Sequence, residues 1–174
     1  SSAASDVYKR QDEISHIKRL IKISAPEKDK KTIFIWPEGV LSGTYLQDIN
    51  IYADLFDKNF SENHLIILGI NNVVDPLVSD SRKYYNSLVI LNSKLQVLDL
   101  YNKINLVPFG EFLPFETFFS KLGLKKITSG YNSFSSGTKR EIINLGSLYN
   151  KKLILPLICY EIIYSGSIKK NHQF

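Results

Sequence analysis

The chain has little of what most enzyme chemistry is built on. One cysteine, Cys159, stands among 174 residues, so no internal disulfide can form and no redox compartment follows. Its three histidines, His16, His64 and His172, lie far apart with no metal-ligand spacing. No metal site is therefore expected, and no cofactor. No apolar run approaches the ~20 residues of a membrane span. The N-terminus lacks the basic start and apolar core of a secretion signal. Internal repeats are missing too, as is any nucleic-acid-binding module, so the net charge of +5 reads as solvated lysines and no nucleic acid is expected as a partner. Any mechanism has to run on Cys, Lys, Glu and backbone amides.

What is present suits a globular domain with a core. Apolar residues make up 44% of the chain, more than a disordered segment carries, and the length is enough for one domain. Residues 1–11, SSAASDVYKRQ, are small and polar and read as a disordered end or a foreign segment, leaving 12–174 as the domain. From Asp12, the spacing of Ile14, Ile17, Leu20 and Ile21 predicts a helix. TIFIW, 32–36, reads as a buried strand stopped by Pro37. A second helix capped by Thr44 is expected to bury Leu46, Ile49, Ala53, Phe56 and Phe60. HLIILGI, 64–70, is a further buried strand, and SLVIL with QVLDLY forms a hairpin turning at Asn92, Ser93 and Lys94. NKINLVPFGEFLP, 102–114, reads as an ordered loop, with Pro114 opening a short helix. The polar run 128–140 reads as mobile, EIINL as strand-like, and KLILPLICYE as a strand ending at the cysteine. Strands mixed with helices predict an α/β layered fold.

Three segments deliver reactive side chains at strand or loop ends, where α/β proteins bind ligands. FIWPEG delivers Glu38, YNKINLVPFGE delivers Lys103 and Glu111, and LICYE delivers Cys159 and Glu161. A free thiol is only a few per cent ionised at neutral pH and needs a base to become a nucleophile. A carboxylate can take its proton, better if shielded from water. An ammonium group can stabilise first the thiolate and then the oxyanion. Each residue also has a plain reading: Cys159 as inert core, Lys103 as a surface lysine, Glu38 as a helix-start carboxylate, Glu111 as a turn cap. Chain spacing does not choose between them.

WPEG, YNKINLVPFGEFLP and ICYE, in this order, resemble the nitrilase superfamily, whose triad is Glu, Lys and Cys. Within it, the lysine followed by LVPFGE and a proline, and ICYE in place of CWE, resemble the bacterial apolipoprotein N-acyltransferases. The resemblance spans roughly Thr32 to Tyr164 and implies an α-β-β-α layered sandwich. It also implies roles: Glu38 as general base, Lys103 as oxyanion-stabilising lysine and Cys159 as nucleophile. Glu111, Glu161, Trp36 and Tyr160 become supporting residues, with the backbone N–H of Tyr160 as an oxyanion donor. The implied partners are a phospholipid acyl donor and an apolipoprotein acceptor. The implied location is the bacterial inner membrane, with the domain on its periplasmic side. Phe112, Leu113, Phe115, Phe118 and Phe119 form either an apolar lip for acyl chains or the buried face of a helix.

The family carries transmembrane helices before this domain and further strands and helices after ICYE. The chain is accordingly expected to be a partial domain, incomplete at the C-terminus and at the N-terminus, and inactive in isolation. Two rival readings stand beside the acyltransferase: a soluble amidase or carbamoylase with the same triad, and a non-catalytic interaction domain.

Overall fold

The computed structural model describes residues 2–75, 82–108, 110–112 and 133–164. Helix α1 (Ser2–Ser24) leads, followed by β1 (Thr32–Ile35) and β2 (Leu41–Tyr45). A 3-10 turn (Leu46–Tyr52) runs into the short helix α2 (Ala53–Asn59). The long strands β3 (His64–Val74) and β4 (Lys83–Asn92) come next, then β5 (Val97–Asn102). Two short strands, β6 (Ile143–Asn144) and β7 (Leu153–Ile154), precede a final 3-10 turn (Cys159–Tyr164).

Strand β3 organises the sheet. It is antiparallel to β4 over ten residue pairs, from Leu65↔Asn92 to Val74↔Lys83, and β4 is antiparallel to β5. On the other edge β3 is served by two short parallel strands in succession, β1 along its first half and β2 further on. The break between them has a local cause. Trp36 N–H makes the last bond, to Ile67 O at 2.8 Å. Pro37 then has no N–H to give, and Gly39, at φ +81°, turns the chain back. Glu38 sits in that break.

After His64, the run LIILGI is apolar because both of its faces are covered. Ile66, Leu68 and Ile70 pack with Ile17 and Ile21 of α1 and Phe56 of α2. Leu65 and Ile67 point the other way, toward Ile143 and Tyr149. The order is therefore helix layer, main sheet, then the β6–β7 pair; no second helix layer occurs among the described residues. His64 is fully buried, with Nδ1 accepting from Ser61 N–H at 3.1 Å and Nε2 3.0 Å from Glu27 O.

The first helix starts at Ser2 and runs into the amphipathic stretch from Asp12. Three sequence expectations are corrected. Thr44 caps no helix. Its backbone belongs to β2, and its hydroxyl donates to the buried carboxylate of Glu13 at 2.7 Å, so the second helix starts later and as a 3-10 turn. EIINL keeps only two residues of strand. KLILPLICYE does likewise, because buried Pro156 ends the pairing, and Cys159 opens a 3-10 turn instead of closing a strand. The helix expected at Pro114 lies outside the described residues.

Candidate active site

Glu38 approaches the sheet where β3 carries Gly69. A Cβ on Gly69 would lie 3.2 Å from Glu38 Cα and 3.3 Å from its Cγ, so the glycine lets Glu38 approach without being pushed aside. The Glu38 side chain is exposed, and the shielding expected of a general base is not supplied by the described residues. Its Oε1 accepts from Asn86 Nδ2 at 2.8 Å.

Asn86, on β4, links three of the motif residues. The same Nδ2 also donates to Glu111 Oε1 at 2.8 Å, and the Asn86 carbonyl accepts from Lys103 N–H at 2.9 Å. Lys103 follows directly after β5 and its side chain is 1% exposed. Its Nζ donates to Glu111 Oε1 at 2.9 Å. A buried ammonium needs such a partner, since an unpaired one would be neutralised. Glu111 is held in turn by its Oε2, which accepts from Val107 N–H at 2.8 Å. The LVPFGE motif is thus a loop folded back on itself so that its carboxylate meets the lysine.

The thiol segment is fixed separately. Cys159 is exposed and adopts φ +52°, a left-handed backbone that L-residues avoid. Tyr160 is 60% exposed, while Glu161 beside it is fully buried. Glu161 Oε1 accepts from Ile104 N–H and Asn105 N–H at 3.0 Å each, from Tyr101 Oη at 2.7 Å and from Arg140 Nη2 at 2.7 Å. Its Oε2 accepts from Ile158 N–H at 2.9 Å. Burial pushes this carboxyl up, but the Asn105, Ile158, Tyr101 and Ile104 hydrogen bonds outweigh it, and Glu161 titrates below its ordinary range. The carboxylate two residues after the thiol therefore grips the two residues that follow Lys103.

The described geometry gathers Glu38, Asn86, Lys103 and Glu111 into one hydrogen-bonded cluster. It ties the Cys159 turn to the same loop through Glu161. Trp36 stands apart from both. It is buried against Phe56 and Phe60, its Nε1 donating to Ser24 Oγ at 3.2 Å, so it anchors the strand that leads to Glu38. Asn86 and Arg140 escaped the sequence reading. The signal for Asn86 was a polar residue inside an apolar strand pattern. Arg140 lay in a run read as mobile.

A groove of about 500 Å³ borders the loop after Lys103, lined by Ile104, Asn105, Leu106, Phe112, Phe134 and Ser136. Phe112 is half-buried there. The other four members of the suggested lip lie outside the described residues. Among the described residues no cluster of histidine, cysteine and carboxylates could hold a metal, and no helix is long and apolar enough to cross a membrane.

A mixed α/β sheet with carboxylates, a buried lysine and an exposed thiol at its loop ends defines a nitrilase-type fold. Its backbone is similar to part of a glutamine-dependent NAD+ synthetase from Acinetobacter baumannii, with a TM-score of 0.53 at 18% identity over 93% of this chain and 27% of that one. The carbon-nitrogen hydrolase family model matches residues 7–172, and the chain belongs to that family. Curated relatives are named apolipoprotein N-acyltransferase. The one from Bradyrhizobium diazoefficiens is 32% identical over 82% of this chain and 26% of its own length. Another, from Allorhizobium ampelinum, is 29% identical over 88% of this chain and 28% of its own. The chain thus spans about a quarter of the length of these relatives.

Proposed function

We propose that this domain is the acyl-transfer centre of a bacterial lipoprotein N-acyltransferase, with Cys159 as nucleophile, Glu38 as general base and Lys103 as the cation that stabilises the oxyanion. The observation that carries the reading is the continuous cluster Glu38–Asn86–Glu111–Lys103, which couples an accessible carboxylate to a buried ammonium. The similarity to relatives named apolipoprotein N-acyltransferase supports an apolipoprotein as the acceptor.

In the first half-reaction Glu38 takes the thiol proton and the Cys159 sulfur attacks an ester carbonyl of a phospholipid. The tetrahedral oxyanion is met by Lys103 and the Tyr160 N–H. Collapse breaks the C–O bond, and the leaving alkoxide takes the proton back from Glu38 as a lysophospholipid alcohol. The product is a thioester on Cys159. In the second half-reaction the free α-amine of a lipid-modified N-terminal cysteine attacks the thioester. Glu38 accepts the amine proton, the C–S bond breaks, and an amide and a thiolate result. The donor lies in a bilayer, so the working location is the inner membrane, with this domain on its periplasmic side.

The test is mass spectrometry of the Cys159 peptide after incubating the whole enzyme that carries this domain with phospholipid vesicles. An added acyl mass, released by hydroxylamine and missing in Cys159→Ser, is expected. Acyl transfer that proceeds without that adduct sinks the assignment. The family's hydrolase chemistry favours one second reading, an amidase acting on a small amide. It predicts turnover of soluble amides and no lipid adduct.

A further inference from the structure

The run read from sequence as mobile behaves, over 133–140, as a strap across the site. Phe134 N–H donates to Glu111 O at 2.9 Å, Ser135 N–H to Tyr84 O at 2.7 Å, and Gly137 N–H to Lys103 O at 2.8 Å. Ser136 Oγ donates to Ile104 O at 2.6 Å. Each bond lands on a residue that carries the Lys103–Glu111 loop or the strand beside it. Gly137 packs so closely that a Cβ there would collide with the Asn102 carbonyl.

The strap ends at Arg140, whose side chain is 12% exposed. Its Nη2 reaches Glu161 Oε1 at 2.7 Å and Tyr101 Oη at 2.8 Å. Its Nε donates to Tyr101 Oη at 3.1 Å and to Pro156 O at 3.1 Å, three residues before the thiol. The guanidinium carbon also lies 5.4 Å from the centre of the Tyr101 ring. One planar fork therefore touches the end of β5, the approach to Cys159 and the carboxylate that grips Ile104 and Asn105. A lysine offers a single point of charge and cannot span these partners.

We propose that Arg140 is a positioning residue for Cys159: through Glu161, Tyr101 and Pro156 it fixes the turn that carries the thiol against the loop that carries Lys103. It touches no reacting atom. The inference rests on the reading of Cys159 as nucleophile, and its test separates the two.

The test is the rate at which iodoacetamide alkylates Cys159 at neutral pH in the full chain, followed by the mass of the Cys159 peptide, folded and in urea. The folded wild type is expected to react faster than the unfolded chain, because on the nucleophile reading Glu38 takes the thiol proton as the sulfur attacks. Arg140→Met should lose roughly tenfold or more of that rate, as small misplacements do, and Arg140→Lys should recover part of it. Arg140→Met leaves the Glu161 charge buried without its cation, so Arg140→Met with Glu161→Gln is the companion variant, free of that imbalance. Its loss should match the larger single loss instead of their product, since both residues act through one turn. A folded Arg140→Met or paired variant that alkylates like wild type, even with a lower Tm, overturns the inference: Arg140 would then serve stability alone. Equal rates for folded and unfolded wild type overturn the nucleophile reading and this inference with it.

Discussion

The Arg140–Glu161 and Lys103–Glu111 pairs are built from the same two charges and differ in what surrounds them. In the first the carboxylate is sealed, 0% exposed, and accepts from Tyr101 and three backbone N–H groups besides the arginine. Both oxygens are engaged by donors of the fold, so the charge is structural. In the second the cation is sealed, 1% exposed, and among the described residues its ammonium uses one of three donors, on Glu111. That ammonium keeps capacity for an incoming oxyanion. Buried charge holds a fold together when its valences are filled and serves chemistry when one stays open.

The contrast breaks most clearly at Glu161. Glu161→Ala should cost about 3–5 kcal/mol of folding stability in urea titrations, because Arg140 would be left buried without its partner. A loss under about 1 kcal/mol would mean that the pair is not structural. The same residue sets an acid limb. Its carboxyl is depressed in the folded state, so its stabilisation is complete above the ordinary value of 4.5 and is lost as pH falls through the lower folded value. The urea midpoint should fall across that window in wild type, and Glu161→Gln should flatten this part of the curve.

On the chemical side, Glu38→Gln should reduce acyl transfer by roughly 10²–10⁴ while stability stays within about 0.5 kcal/mol, since the side chain is exposed. A stability loss comparable to that of Glu161→Ala would erase the distinction. Gly69→Ala acts more gently. Its Cβ would press on Glu38 at 3.2 Å, and a loss of about tenfold in acyl transfer is expected from the displaced carboxylate. Wild-type activity there would mean that the turn carrying Glu38 gives way freely. The smallest effect belongs to a third pair, Lys94 with Asp57, whose side chains are 64% and 58% exposed. Lys94→Ala should leave Tm unchanged by calorimetry, because exposed pairs are screened and costly to order.

Much of this was legible from local pattern. β1, β3 and the β4–β5 hairpin follow from apolar runs and a turn whose Asn92 side chain accepts from Lys94 N–H at 2.9 Å and Gln96 N–H at 3.0 Å. Glu38, Lys103 and Glu111 stood in short motifs, and the structure joins them in one cluster. Distant partners decided what was misread. Thr44 looks like a cap until Glu13, 31 residues earlier, takes its hydroxyl. Arg140 sits in a polar run, and nothing nearby says that Glu161 and Tyr101 will bury it. Asn86 joins two carboxylates from positions 48 and 25 residues away, contacts that only the sheet register creates.

The left-handed backbone at Cys159 carries a consequence for evolution and design. A φ of +52° is comfortable for glycine and costs an L-residue about 1–2 kcal/mol. Selection for stability alone would therefore drift this position toward glycine and discard the sulfur. A cysteine there works against the gradient of folding energy, and its strain is the cost of presenting a thiol on a tight turn. On the proposed reading, an engineer who put glycine at Cys159 for a sturdier scaffold would remove the nucleophile.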